Sequence, residues 1–439
     1  MAEALVYPDP HPLATSRFPL NLLLLGAYVA YQAVRIPLVL LLYAVLPSSR
    51  PNPTLSLLQS IIYGTLYQLV PFVGGVVSIF PHRRGRNTFR PSKSRPSDPF
   101  RAIWIPAADK RLLVGQIGDW IKQGNVTVPP VAAYWAGPDR NLDGVQARSG
   151  EITVLNFHGG GFIDHSAHWT DPVSNFFRLL MEHASRFDSK SGNTTSDSAK
   201  LLTRGLNVEY RLSNETSWPG IVADAMAAYS YLVDTCKFVP ENIFLMGDSA
   251  GGNLILALTR HLHETKALPL PGGLVLTSPW TDLSMSTFDS TLSAKANISF
   301  DYIRHVKLWD TSKWNPTIAL ARDHVVRGMP LGSLESPYLS PGLSVTRGLK
   351  DVFDGYPPAL FIAGGKERWF SEISDTYEAY IRPSSASDEV GKKRSDRSEF
   401  HVEKEMPHDF IAFAKFGCRK ECDRAAQKIC SWISGIYKH

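Results

Sequence analysis

The chain has 439 residues, with 46 Lys and Arg against 41 Asp and Glu, 44% hydrophobic residues and only 4 cysteines. That balance excludes a disordered, collagenous or disulfide-scaffold chain, and the length allows two or three domains or one large α/β unit. The formal charge of +5 and pI of 8.9 are explained locally. Six basic residues (Arg83, Arg84, Arg86, Arg90, Lys93, Arg95) form a cluster with no acid among them, and the rest of the chain is near neutral.

In chain order, the first feature is Leu20 to Leu46, largely apolar and broken by a single charge, Arg35, with Pro37 close behind it. A bilayer span needs about 20 mostly apolar residues, so this stretch qualifies. Leu55 to Phe80 has no charged residue but is diluted by Ser, Gln, Tyr and Gly74-Gly75. Both exceed the apolar region of roughly 7–15 residues in a cleaved signal peptide, and the extreme N-terminus is not basic. Residues 1–81 are therefore expected to form a membrane-anchor region, the second stretch lying in the interface, re-entering or completing a hairpin. A pair of buried or capping helices is the alternative. Residues 82–101 read as a basic linker and 102–439 as the folded domain with its cap, its core starting at about 151. The basic cluster favours the cytosolic side, whereas the sequons at Asn125, Asn193, Asn214 and Asn297 permit a glycosylated luminal domain. Cys418, Cys422 and Cys430 have no partner at zinc spacing, so free thiols and no metal are expected.

From Glu151 the pattern becomes short apolar runs alternating with helical stretches. Ile152–Phe157, Leu206–Tyr210, Ile243–Met246, Leu274–Leu276, Ala359–Ala363 and Glu399–Lys404 read as strands. Pro219–Val233, Gly252–His263 and Ser371–Ile381 read as helices between them. Such alternation indicates βαβ units and a largely parallel sheet. Ser185–Lys200 and Pro383–Ser398 are polar and read as surface insertions.

Three segments carry chemistry. Gly247-Asp248-Ser249-Ala250-Gly251 fits G-x-S-x-G between a strand and a helix, the setting in which a tight turn lifts a serine hydroxyl above a sheet. His158-Gly159-Gly160-Gly161-Phe162 follows the strand ITVLNF; its glycines let backbone N–H groups approach a developing oxyanion. No Gly-Lys-Ser/Thr follows, which argues against a phosphate loop, and His158 reads as orienting this loop. A serine nucleophile needs a base and an acid that fixes the base's tautomer. His408, in Met406-Pro407-His408-Asp409-Phe410, stands just past the last strand, whereas His401 lies within it and His439 is terminal. Glu367 is the first carboxylate after the strand ALFIA, with Glu372 and Asp375 as rivals in the helix beyond.

Together these segments resemble the hormone-sensitive-lipase family of α/β-hydrolases, which includes arylacetamide deacetylases and fungal steryl-acetate hydrolases. The similarity runs from about Thr153 to the C-terminus. It rests on HGGGF at His158–Phe162, Glu209-Tyr210-Arg211-Leu212, GDSAGGN at Gly247–Asn253, Ser278-Pro279-Trp280-Thr281-Asp282-Leu283 and Pro357-Pro358-Ala359-Leu360. The resemblance implies an α/β-hydrolase fold, with a mostly parallel central sheet flanked by helices, a helical N-terminal cap and a membrane anchor. It also implies a catalytic triad of Ser249, Glu367 and His408, with Gly160, Gly161 and Ala250 as oxyanion donors and no cofactor or metal. The implied activity is serine ester hydrolysis of a lipophilic short-chain ester, such as a sterol, terpenoid or aryl acetate, at the endoplasmic reticulum membrane. Two features depart from the family pattern: Glu367 stands where most relatives have Asp, and the two polar insertions have no counterpart in compact members. Acyl transfer to an alcohol by the same triad is a second reading. A non-catalytic ligand-binding module of the gibberellin-receptor kind is a third, disfavoured because Ser249 and His408 are both present. Nucleic acid is not an expected partner, since the basic run adjoins an apolar segment and no recognition motif accompanies it.

Overall fold

A computed structural model describes residues 6–7, 18–71, 98, 100–137, 146–190, 202–286, 290–303, 316–382, 394–415 and 417–437. The first apolar stretch forms helix α1 (Leu20–Val45) and the second contributes helix α2 (Leu57–Pro71). Arg50 locks the turn between them, donating to the carbonyls of Tyr43 at 3.0 Å and Leu55 at 2.9 Å. Arg35, the one charge in α1, donates to Gln32 Oε1 and to the carbonyl of Gly64 on α2. An apolar helix can carry an arginine when its donors are satisfied in this way.

The domain that follows comprises β1 (Phe100–Ile105), α3 (Gly115–Gln123), β2 (Val131–Ala136), β3 (Ile152–Phe157), α4 (Ser174–Lys190), β4 (Leu202–Glu209) and α5 (Trp218–Ser230). It continues with β5 (Ile243–Asp248), α6 (Ala250–Thr265), β6 (Gly273–Thr277), α7 (Pro316–Val325), β7 (Ala359–Gly364), α8 (Phe370–Ile381), β8 (Glu399–Glu403) and α9 (Arg419–Ile436). The eight strands form one sheet in the order β1-β2-β4-β3-β5-β6-β7-β8. β2 runs antiparallel to both neighbours and all later pairs are parallel.

The central strands β5, β6 and β7 are buried and mainly apolar on both faces because both faces are covered, as parallel sheets require. Along β5, Ile243 and Leu245 enter the core formed with α3, α5, α6 and α8, while Phe244 and Met246 enter the core formed with α4 and α9. β7 divides likewise, with Phe361 on one side and Leu360 and Ile362 on the other. The period of two along each strand thus builds two cores from one sheet.

Several elements differ from expectation. The sheet begins at Phe100, inside the segment read as linker, and two strands precede 151. β2 (VAAYWA) is buried throughout, so it lacks the alternation that marks a half-exposed strand. The insertion read over Ser185–Lys200 continues α4 as far as Lys190. The end of the Pro383–Ser398 segment is built into the domain: Arg394 is buried and donates to the carbonyls of Phe353 and Arg382, and Ser398 Oγ accepts from Ala359 N–H. Asn193, His439 and the basic cluster from Arg83 to Arg95 lie outside the described residues. Among the other sequons, Asn125 and Asn214 are exposed. Asn297 is buried, and its amide donates to the Glu367 carbonyl at 3.1 Å, an arrangement that leaves no room for a glycan.

Candidate active site

β5 ends at Asp248, and the chain reverses into α6 at Ala250. Ser249, between them, has φ 49° and ψ −113°, a strained conformation held by its N–H bond to the Thr277 carbonyl at 2.9 Å. The turn closes so tightly that a Cβ on Gly251 would lie 1.9 Å from the Phe157 carbonyl oxygen, so only glycine fits there. The consequence is a serine hydroxyl at the carboxyl end of the sheet, above the N-terminus of α6.

Two other strand ends bring the partners of that hydroxyl. His408, after β8, places Nε2 3.0 Å from Ser249 Oγ and Nδ1 2.9 Å from Glu367 Oε2. Glu367, after β7, accepts through Oε1 from the Gly364 N–H at 2.7 Å and from Ser278 Oγ at 3.2 Å. Ser278 also accepts from Asp409 N–H, tying the acid's loop to the histidine's. The Trp369 ring stands edge-on to His408 at 4.6 Å and limits its rotation. Burial lowers the His408 pKa to about 4, although the charges of Asp301 and Asp248 pull the other way. The ring is therefore a neutral base across the physiological range. Burial also raises the Glu367 carboxyl, opposed by the hydrogen bonds from Gly364 and Ser278 that favour its charge.

Facing Ser249 is the loop after β3. Gly160 has φ 102°, and a Cβ there would lie 2.4 Å from the Asp164 carbonyl oxygen, so the loop cannot fold this way with a side chain. Gly159 N–H donates to Asp248 Oδ2 at 2.9 Å, anchoring the loop to the serine turn. The N–H groups of Gly160, Gly161 and Ala250 make no backbone hydrogen bond among the described residues. The His158 ring stacks on Tyr210, whose hydroxyl donates to the His158 carbonyl at 2.6 Å.

These groups open into a cavity of about 540 Å³. Gly160, Gly161, Ser249 and His408 line it, and α2 contributes Ile61, Ile62, Thr65 and Leu66. α2 is fastened to the histidine loop. Tyr63 hydroxyl lies 2.6 Å from Cys418 Sγ and donates to Met406 Sδ at 3.4 Å, and Asn52 and Thr54 both donate to Glu405 Oε2. Tyr302 and Ile303 close another side, positioned by Arg368, which donates to the carbonyls of Ala294 at 2.9 Å and Ile303 at 3.1 Å. No cluster of three or more His, Cys, Asp or Glu among the described residues is arranged to hold a metal ion.

A family profile described as an alpha/beta hydrolase fold matches residues 154–412. The chain belongs to the α/β-hydrolase fold family. An acetyl-hydrolase of Streptomyces hygroscopicus is 30% identical over 187 residues, covering 40% of this chain and 52% of that protein. The hormone-sensitive lipase of Mus musculus is 25% identical over 151 residues, covering 34% of this chain and 17% of that one. The chain thus spans about half the length of the first relative and less of the second. Among solved structures, an esterase of Pyrobaculum calidifontis superposes with a TM-score of 0.56 at 20% identity, over 86% of this chain and 98% of that one. That likeness shows a shared fold.

Within this hydrolase fold Ser249, Glu367, His408, Gly160, Gly161 and Ala250 converge at the carboxyl ends of β3, β5, β7 and β8, where open α/β sheets bind ligands. The rival carboxylates Glu372 and Asp375 fall on α8, while Glu367 holds the ring. His401 pairs with Glu403 within β8. Ser278 stands in a motif that gives it no role by itself, and neither the α2 lining residues nor His165 lie in a recognisable motif. Ser278 has φ 42°, a strained position that only the fold reveals.

Proposed function

We propose that this α/β-hydrolase cleaves carboxylic esters through Ser249, His408 and Glu367, acting on lipophilic short-chain esters such as the acetates of sterols, terpenoids or aryl alcohols. The observation that carries the reading is the unbroken line from Glu367 Oε2 through His408 to Ser249 Oγ, with steps of 2.9 and 3.0 Å, at the base of a largely apolar cavity. The acetyl-hydrolase among its relatives supports the acetyl group.

In this mechanism Ser249 Oγ attacks the ester carbonyl while its proton passes to His408 Nε2. The N–H groups of Gly160, Gly161 and Ala250 receive the developing oxyanion. As the tetrahedral intermediate collapses, His408 returns the proton to the departing alkoxide, which leaves as the alcohol. Water then attacks the acyl-serine, giving a proton to His408; the second collapse releases the acid and restores the Ser249 hydroxyl. Glu367 keeps Nδ1 protonated and Nε2 free to accept, and it stabilises the imidazolium that forms at each attack.

α1 is the membrane anchor in this reading: 26 residues, long and apolar enough to cross a bilayer, with only 6% of its most apolar window buried. The hairpin then sets the cavity's α2 wall beside the bilayer of the endoplasmic reticulum, where lipophilic esters partition. Detergent-solubilised protein should release acetate and p-nitrophenol in equal amounts from p-nitrophenyl acetate. No release, or acetate appearing only on an added alcohol, would contradict the hydrolytic reading.

A further inference from the structure

His165 is held in a left-handed conformation, φ 72°, that disfavours any side chain. Its side chain lines the cavity beside Gly160: a Cβ on Gly160 would come within 2.8 Å of His165 Cδ2, so ring and oxyanion loop are in contact. Nδ1 lies 3.1 Å from Asp171 Oδ1, an oxygen fixed in turn by the Val173 N–H. Nε2 has no acceptor among the described residues, and the side chain is about one-third exposed, at 33%. A strained backbone, an oriented ring and an unengaged donor thus meet in a cavity that Ile61, Ile62, Leu66 and Trp280 line on its apolar part, with Asp164 and Asp409 among its polar lining residues. Strain of this kind persists where the surroundings enforce it, which is common at ligand sites.

We infer that His165 determines specificity, its Nε2–H donating to a second oxygen that the ester carries near its reacting carbonyl. The preferred substrate is then a lipophilic ester bearing a hydroxyl or carbonyl group. This inference rests on the ester-hydrolase reading of the same cavity and names the substrate class within it. Charge supports the geometry. Burial opposes the imidazolium, but the hydrogen bond and charge of Asp171, with the charges of Asp164 and Asp248, prevail and raise the pKa to about 9. The charge of His158 also acts on Asp171, and His168 adjoins it in the same loop. At neutral pH His165 is a charged donor, and hydrogen bonds to charged groups are the stronger kind.

The test compares kcat/KM for cyclohexyl acetate with that for cis- and trans-hydroxycyclohexyl acetates, using wild type, His165→Gly and His165→Asn. Glycine relieves the strained backbone and asparagine tolerates it while retaining a donor, and thermal melting checks that both fold. Wild type should favour a hydroxylated ester by about ten- to a hundredfold. The ratio should fall to near one in His165→Gly, recover in part in His165→Asn, and in wild type decline as pH rises through about 9. No wild-type preference, or a ratio that His165→Gly leaves unchanged, would overturn the inference while leaving ester hydrolysis standing. Failure of wild type to cleave any of the esters would instead remove the reading on which it rests.

Discussion

Two walls bound the cavity and are built on opposite principles. The strand-end wall is polar and over-determined: Ser249, Glu367, His408, Ser278 and Gly364 are joined by hydrogen bonds, and each group sits where a sheet strand ends. The α2 wall is mostly apolar: beside Thr65, the residues Ile61, Ile62 and Leu66 offer shape and no chemistry. On the proposed reading the first wall acts on a bound ester, and the second, together with His165, selects which ester binds. α1, of similar composition to α2, is left mostly exposed. Apolar composition alone states that water is to be excluded; on the proposed reading protein covers α2 and lipid covers α1.

Changes to the polar wall should act on kcat. Ser249→Ala should lower kcat/KM by about ten-thousandfold or more, as loss of a nucleophile does. Glu367→Gln keeps the shape but lets Nδ1 lose its enforced proton, and a fall of roughly a hundred- to ten-thousandfold is expected. A full effect from Glu372→Gln with none from Glu367→Gln would break the assignment. Changes to the apolar wall should act on binding: Ile62→Ala or Leu66→Ala should raise KM roughly tenfold for a bulky acetate and much less for p-nitrophenyl acetate. An equal loss of kcat in both substrates would show that α2 sets the chemistry too, and would erase the contrast.

Acidity gives a milder test. A histidine whose folded pKa lies near 4 is already deprotonated at pH 6 and acquires its proton only as pH falls toward 4. The acid limb of kcat/KM should therefore lie near 4, below the ordinary imidazole value of about 6.5. A limb at 6.5 would mean that His408 is more solvated than its packing beneath Trp369 implies.

Much of the polar wall was legible in the sequence because its chemistry requires rare local patterns. G-x-S-x-G needs small neighbours for steric reasons now visible at Gly251, and HGGGF needs glycine where Gly160 nearly touches the Asp164 carbonyl. The strands from 152 onward were legible from their length and apolarity. β2 was not, because a strand buried on both faces carries no alternation. The α2 wall was beyond reach for another reason. Its residues are ordinary, mostly apolar ones, and their place in the same cavity as Ser249 depends on contacts such as Tyr63 with Cys418 and Asn52 with Glu405, each spanning more than 350 positions. His165 carried no signal either, since its φ becomes unusual only in the fold.

The central claim is that Ser249 is the nucleophile. Incubating the full-length protein with a fluorophosphonate and mapping the adduct by peptide mass spectrometry tests it directly. The prediction is one adduct, on the peptide bearing Ser249, absent from Ser249→Ala and strongly slowed in His408→Ala. An unlabelled wild-type protein, or label on another serine that survives Ser249→Ala, would contradict it.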